Sequence, residues 1–340
     1  MKMKKVTWSG LIVFLLIVGS TFIPTGYDVL FAGEPIPLDE IVQYEDGYEL
    51  DGEIGMTYVS SLENVVWPYL LLGVLLEEGV EIQPATSEIL NMDLEDLHYQ
   101  YLTMMEQSKI KAEYIARDYM GEEPELTLTG FYPVHYIPDW QFKDKIKVSD
   151  IVVGIDGIKL ESFNQMDQLI LEKQPNEEIM LTLLRDGKEL DVSVRTYSEK
   201  DYNNNTILGV YLEQVFELEE DGKIKFNIEE VGGPSAGLML SLTLIEKMTE
   251  ESLLKGNKVA GTGTIEMTGE VGPIGGVKQK VIGADSAGYD YFLVPADNEY
   301  GNNEEIAKRT VEEEGLSIKI FPVATLDEAM EMLKGLPQKK

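Results

Sequence analysis

Three kinds of hydrophobic pattern follow one another along this chain. Residues 6–26 carry no charge, and their centre, residues 11–18, is apolar at every position, which predicts a helix near the length that spans a bilayer. Residues 48–59 read as two short strands about a turn at Gly52. The apolar stretch 65–76 contains Pro68 and stops at Glu77-Glu78, which predicts a buried or interfacial segment rather than a second span. Residues 87–120 place Leu90, Leu94, Leu97, Tyr101 and Met105 on one side of a long helix. Residues 149–157 read as a strand ending in an Asp156-Gly157 turn, residues 163–171 as a helix, and residues 179–184 and 189–194 as strands joined across Asp186-Gly187. From about residue 207 to 336, strands (224–228, 259–265, 291–294, 317–321) alternate with helices (235–254, 278–287, 303–314, 325–333), a mixed α/β pattern.

The flanks of the first apolar run change its meaning. Lys2, Lys4 and Lys5 precede it, which places its N-terminal side in the cytoplasm and the rest of the chain outside. A retained signal anchor is preferred to a cleaved signal peptide, because Phe22-Ile23-Pro24 offers no small-x-small cleavage site. The net charge of −33 opposes nucleic-acid binding, and the absence of cysteine excludes disulfides and thiolate metal sites. With His98 and His135 as its only histidines, the chain has little material for a histidine-assisted nucleophile or a metal centre, and no cofactor is expected. His98 reads as a surface or packed side chain on the long helix.

The strand, turn, helix and hairpin between about residues 126 and 197 resemble a bacterial PDZ domain, best in the Asp150-Ile151…Asp156-Gly157 block and the hairpin about Asp186-Gly187. Ser149 stands where that family has glycine, and Tyr136-Ile137-Pro138-Asp139-Trp140 replaces its small Ser-Pro-Ala-like stretch. The resemblance implies an extended peptide added as a strand to a sheet edge; a purely structural spacer is the other reading.

The chemistry concentrates further on. In Gly232-Gly233-Pro234-Ser235-Ala236-Gly237, a serine sits on a glycine-rich turn before an apolar helix. Pro234 suits a first helical turn, and free amides at such a terminus can hold an oxyanion. Ser235 is thus either a nucleophile or a helix N-cap. Gly275-Gly276-Val277-Lys278-Gln279-Lys280 opens a later helix and offers two lysines as a base. Ser252-Leu253-Leu254-Lys255 also fits a Ser-x-x-Lys pattern, but Lys-Thr-Gly and Ser-Asp-Asn are missing and chance accounts for it.

Together with Ala260-Gly261-Thr262-Gly263-Thr264-Ile265 and Pro295-Ala296-Asp297-Asn298, these motifs resemble the proteolytic domain of Lon proteases. The full order resembles membrane-anchored, PDZ-containing Lon-like serine proteases of the YlbL/SepM type. The resemblance implies Ser235 as nucleophile, Lys280 as general base, Thr262 as a support for the lysine, and backbone N–H groups of Gly233, Ser235 and Ala236 as the oxyanion site. Lys278 reads as a solvated helix lysine. Val231-Gly232 stands where Lon has an acidic residue before its Gly-Pro-Ser. The implied fold is an α/β (mixed α+β) Lon-type domain at 205–338, a β-rich PDZ-like domain at 123–200, an N-terminal α/β connecting region at 34–122, and a cytoplasmic tip, transmembrane helix and linker at 1–33. No Gly-x-x-x-x-Gly-Lys-Ser/Thr loop is present, so ATP-independent endopeptidase activity on exported or membrane-proximal peptides and proteins is expected, with self-association into rings left open. The competing reading is an inactive, membrane-tethered PDZ/Lon-like binding scaffold.

Overall fold

The computed structural model describes residues 8–75, 79–85, 94–137, 140–198, 205–219, 222–228 and 231–339. Lys2, Lys4 and Lys5, Glu77-Glu78, Leu90, and Pro138-Asp139 lie outside the described residues. The chain forms two bodies, one from Met1–Met92, Lys225–Asn227 and Ser235–Lys340, the other from Asp93–Ile224 and Ile228–Pro234.

The first body is built on a five-stranded sheet in the order Ile36–Pro37, Glu53–Met56, Lys258–Gly261, Tyr291–Pro295, Lys319–Val323. The last four are parallel neighbours, and Ile36–Pro37 closes the edge antiparallel. A parallel sheet is covered on both faces, so its strands read as continuous apolar runs; Tyr291–Pro295 is buried at every position. The helix Gly237–Met248 is buried from Gly237 to Lys247. It tolerates Ser241 and Thr243 there because their hydroxyls donate to the carbonyls of Gly237 and Met239, at 2.9 and 2.7 Å. The helix Val277–Ser286 packs Val277, Val281 and Ala284 against Ala260, Phe292 and Val294.

Residues 27–75 and 79–84 are woven into this body and do not form a separate connecting region. Glu53–Met56 lies inside its main sheet. Tyr27–Ala32 pairs with Val59–Leu62 on one side and Val80–Pro84 on the other. Nothing in a four-residue strand such as Glu-Ile-Gly-Met names a partner two hundred residues away, which is why sequence pattern separated the two.

The transmembrane helix expected over residues 6–26 is described only in part, since residues 1–7 lie outside the described residues. The described helix Trp8–Ser20 has 13 residues and begins at the first described residue. Ser20 and Thr21 turn their hydroxyls back onto the carbonyls of Ile17 and Val18, and the chain leaves the helix before Pro24. Among the described residues no helix is long and apolar enough to cross a membrane.

The second body is an antiparallel sheet in the order Lys188–Arg195, Glu178–Arg185, Ile151–Ile155, Leu126–Tyr136, Val210–Leu218, with helices Leu94–Tyr119 and Phe163–Leu171. The hairpin at Asp186-Gly187 has positive φ at both residues (51° and 72°), the twist that two-residue hairpin turns require. Asp150 is fully buried and is held by the Arg185 guanidinium at 2.6 Å through both carboxylate oxygens. Ser162 caps Phe163–Leu171 by accepting from the Gln165 amide. The long helix buries Met105, Ala112, Ile115 and Ala116, but leaves Tyr101 at the surface. Val210–Leu218 lies outside the boundary expected for the PDZ-like unit, yet it pairs with Leu126–Tyr136 along its whole length.

Candidate active site

Ser235, Thr262 and Lys280 are brought together by three different elements of the first body. Ser235 stands two residues before the helix Gly237–Met248, Thr262 follows the strand Lys258–Gly261, and Lys280 is the fourth residue of Val277–Ser286. Gly276, at φ 68°, supplies the left-handed turn that starts this last helix, a conformation glycine adopts without strain. Lys280 Nζ is 2.9 Å from Ser235 Oγ and 2.9 Å from Thr262 Oγ1. Thr262 Oγ1 is 3.1 Å from the Ser235 carbonyl oxygen, which also accepts from the Gly263 amide at 2.8 Å.

Elementary bonding rules fix the hydrogens in this triangle. A carbonyl only accepts, so the Thr262 hydroxyl must donate to the Ser235 carbonyl. Thr262 then presents only lone pairs to Lys280, and Lys280 must donate to it. A neutral amine has one lone pair, and it is left for the Ser235 hydroxyl. The condition is a neutral lysine. Lys280 is 4% exposed, and burial alone pulls its pKa from the ordinary lysine range down to about 7. No carboxylate contributes to that shift.

The helix begins later than its sequence suggests. Ala236 is the cap and Gly237 the first helical residue, so Pro234 precedes the first turn and Ser235 is not the N-cap. The Ser235 side chain accepts no cap hydrogen bond and faces Lys280 instead. The chain passes between the two bodies at the Pro234–Ser235 bond. Gly233 lies in the second body at φ 93°, and its amide already donates to the Tyr101 carbonyl at 2.8 Å. That donor is engaged, which leaves Ser235 and Ala236 as the oxyanion candidates of the sequence reading.

Lys278 points elsewhere and pairs with Glu314 at 2.8 Å. Ser252 and Lys255 do not meet; Ser252 donates to Glu246 at 2.8 Å, and Lys255 reaches the carbonyls of Lys334 and Leu336.

A second site lies wholly within the second body. A groove of about 470 Å³ runs between the helix Phe163–Leu171 and residues 205–212, with Met166, Ile170, Leu208, Val210 and Leu212 in its wall and Asp167 on its rim. Val210–Leu218 ends the sheet, so its outer edge beside the helix has no neighbouring strand among the described residues. The unusual Trp140 explains the local build. It is 3% exposed, donates through Nε1 to the Arg195 carbonyl at 2.9 Å, and lies so close under Gly209 that a Cβ there would come within 2.0 Å of the indole. Sequence reading missed residues 205–212. The signal available was the alternation Val210-Tyr211-Leu212-Glu213, with Gly209 as the small residue before it.

With the geometry in place, comparison with known proteins adds two domains. Residues 230–334 match the family model of the Lon protease (S16) C-terminal proteolytic domain, and residues 141–196 match that of the PDZ domain. Lon protease 1 of Sorangium cellulosum is 39% identical over 98 residues, covering 29% of this chain and 11% of that protein. The Lon protease of Koribacter versatilis is 33% identical over 108 residues, covering 32% of this chain and 12% of that protein. The chain thus matches only about one eighth of the length of these curated relatives. Among solved structures, the PDZ domain of the SdrC-like protein of Listeria monocytogenes overlaps 26% of this chain and 92% of that chain, at 18% identity and a TM-score of 0.24.

Proposed function

We propose that this chain, a PDZ-containing Lon-like protease, hydrolyses peptide bonds as a serine endopeptidase through Ser235 and Lys280, without ATP. The observation that carries this reading is a neutral-capable, buried lysine 2.9 Å from a serine hydroxyl whose proton has no other acceptor in the triangle. As Ser235 Oγ attacks a peptide carbonyl, its proton passes to Lys280 Nζ. The lysine can accept it because Thr262 takes up one of its N–H groups and already points its own hydrogen at the Ser235 carbonyl. Amides of Ser235 and Ala236, at the positive end of Gly237–Met248, receive the oxyanion. The resulting lysinium protonates the leaving amine, and the neutral lysine then draws a proton from water as the acyl-enzyme is hydrolysed.

The groove between Phe163–Leu171 and Val210–Leu218 serves as a docking site for extended peptides, its open strand edge supplying the main-chain bonds and its apolar wall a side-chain pocket. With no phosphate-binding loop in the sequence, the substrates are peptides or segments already exposed. The N-terminus attaches the protein to the cell membrane with the active site on the extracytoplasmic side. This rests on the basic residues before the apolar run and on the exposed Ile12, Phe14, Leu15 and Leu16 of Trp8–Ser20.

The test is labelling of the full chain by a serine-reactive fluorophosphonate across about pH 5 to about pH 9, with the modified residue located by mass spectrometry. Labelling at Ser235 that rises through about pH 7 and disappears in Lys280→Ala is the expected result. Absence of labelling at every pH leaves the scaffold reading.

A further inference from the structure

We infer that the helix Trp67–Leu75 is a second lipid contact of the first body, seated in the interface of the bilayer that receives the helix Trp8–Ser20. The inference deepens the proposed attachment to the membrane and rests on it. Every residue it uses belongs to the first body.

The sequence of residues 65–76 allows a buried or an interfacial segment, and the structure favours the second. Gly73 is the only buried position of the helix. With no side chain there, the helix backbone settles on Val29 of the strand Tyr27–Ala32, where an added Cβ would come within 3.0 Å of Val29 Cγ1. Trp67, Tyr69, Leu71, Leu72, Val74 and Leu75 are all exposed, Leu72 by 50% and Leu75 by 76%. At 3.6 residues per turn these six positions cover more than half of the helix circumference. A protein groove closes over one apolar stripe of a helix. A helix apolar over more than half of its circumference suits a fluid medium that is itself apolar.

The patch is continuous with the N-terminal helix. Trp67–Leu75 touches Trp8–Ser20, and the chain leaving the first helix is bonded to the residues that open the second. The Thr25 amide and hydroxyl both donate to the Val65 carbonyl, at 2.8 and 2.6 Å. The Val65 amide donates to the Tyr27 carbonyl at 2.8 Å, and Pro24 bridges Val66. Exposed Phe22, Ile23 and Tyr27 carry the apolar surface across this junction. Leu62 is exposed too; it pairs directly opposite Val29 and so faces the same side of their sheet.

Charge and length agree with lipid as the occupant. Residues 6–26 and 64–76 carry no charged side chain, in a protein of net charge −33. A surface without Lys or Arg gains nothing from anionic headgroups, so its binding follows apolar area alone. Nine residues reach about 14 Å, too short for a hydrocarbon core of about 30 Å, so the helix lies in the interface. Trp67 and Tyr69 open it, the residue types that settle at headgroup level. One tether lets a body swing about it. Two apolar helices joined by main-chain hydrogen bonds keep one face of the first body on the lipid, and the Ser235–Lys280 pair on that body stays at a fixed height above the bilayer.

The chain has no cysteine, so an introduced thiol carries a single reporter. A nitrobenzoxadiazole label is placed in the full chain at Phe14→Cys, at Leu72→Cys or at the exposed Glu251→Cys. Each protein is reconstituted into phosphatidylcholine vesicles, with or without phosphatidylglycerol, whose acyl chains do or do not carry a nitroxide quencher. The expected result is quenching of about twofold or more at positions 14 and 72, alike in both lipid compositions, and none at 251. Leu71→Asp with Leu75→Asp, both at exposed positions, removes the quenching at 72 and leaves that at 14. Quenching at 14 without 72 overturns the inference while the attachment reading stands. Quenching at 72 alone upholds the lipid contact and overturns attachment through Trp8–Ser20. Quenching at neither position sinks both. A label at 72 that is sheltered from water yet unquenched, increasingly so at higher protein density, means that a second copy of the chain covers the helix, and it overturns lipid as the occupant.

Discussion

At the Ser235–Lys280 pair, polar groups are buried and use up one another's hydrogen-bonding capacity. At the groove beside Phe163–Leu171, the edge strand has no neighbouring strand among the described residues and the wall is apolar. The first arrangement stores energy. A buried lysine opposes folding, and on the proposed reading the fold retains it because a base near neutrality needs that environment. The second costs little to form, since an edge strand at the surface is hydrated when no peptide is present. On the proposed reading, chemistry in this molecule is placed where the interior is most constrained, and recognition where the sheet ends.

The largest expected effect breaks the two regions apart. Ser235→Ala and Lys280→Ala each lower peptide hydrolysis by on the order of 10³-fold or more, and the double variant is no worse than either, because the pair acts as a unit. Binding of an extended peptide to the groove, followed by calorimetry or fluorescence anisotropy, stays unchanged in both. Loss of groove binding in Ser235→Ala refutes the division of labour.

Next comes Thr262→Val, which keeps the shape of the side chain and removes the hydroxyl. The Ser235 carbonyl keeps the Gly263 amide at 2.8 Å, but Lys280 loses the acceptor that turns its lone pair toward the serine. A fall in kcat on the order of 10²-fold is expected, with little change in KM. An unaltered kcat removes Thr262 from the machinery.

The stored energy has its own signature in pH. Lys280 is held near 7 in the folded protein and returns to about 10.4 when unfolded. Between those values the unfolded state binds more protons, so stability rises as pH climbs from about 7 to about 10.4 and is flat with respect to this group below about 7. Lys280→Met abolishes that dependence and raises stability at neutral pH by a few kcal/mol while eliminating activity. Activity itself falls about tenfold per pH unit below 7, where the base is protonated. Urea unfolding at several pH values measures the first, and initial rates the second. A wild type whose stability shows no rise above pH 7 contradicts the buried-lysine account.

How far this was legible in sequence follows the same division. Ser235 and the two lysines Lys278 and Lys280 stood out on glycine-rich turns, while the choice of Lys280 and the part of Thr262 came from the resemblance to Lon proteases; the structure places Ser235, Thr262 and Lys280 within hydrogen-bonding distance of one another. The hairpin at Asp186-Gly187 was equally plain, since positive φ at both positions calls for those residues. What escaped was long-range pairing. Glu53–Met56 joins the sheet beside Lys258–Gly261, and Val210–Leu218 completes the groove, but neither carries a local mark of its partner. The start of the helix at Gly237 instead of Ser235 escaped for another reason. Pro234 permits a first helical turn but does not require one. At the N-terminus only the end of the apolar helix is described, where the Ser20 and Thr21 hydroxyls turn back onto the carbonyls of Ile17 and Val18 ahead of Pro24.

On the groove side, Gly209→Val sharpens the contrast. Its added carbons meet the Trp140 indole, where even a Cβ would lie within 2.0 Å. The ring cannot yield easily, because Nε1 is bonded to the Arg195 carbonyl. A loss of about 1–3 kcal/mol in the stability of the second body is expected, together with weaker groove binding. Fluorophosphonate labelling responds far less than in any dyad variant. Restored binding in Gly209→Val with Trp140→Leu confirms that the clash is the cause.

The smallest effect is the most discriminating between neighbours. Lys278 and Lys280 are two residues apart on one helix and therefore face different sides of it. Lys280 is buried and owes its shift to desolvation, while the Lys278 side chain is 36% exposed and paired with Glu314 at 2.8 Å. An exposed pair of this kind contributes about 0–1 kcal/mol. Lys278→Ala should therefore change hydrolysis by less than about twofold and leave the pH midpoint near 7, since Lys280 owes its shift to burial and not to a nearby charge. A midpoint displaced by a full unit in Lys278→Ala would show that charge, not desolvation, sets the base. The comparison between a buried chemical site and an open recognition site would then lose its physical footing.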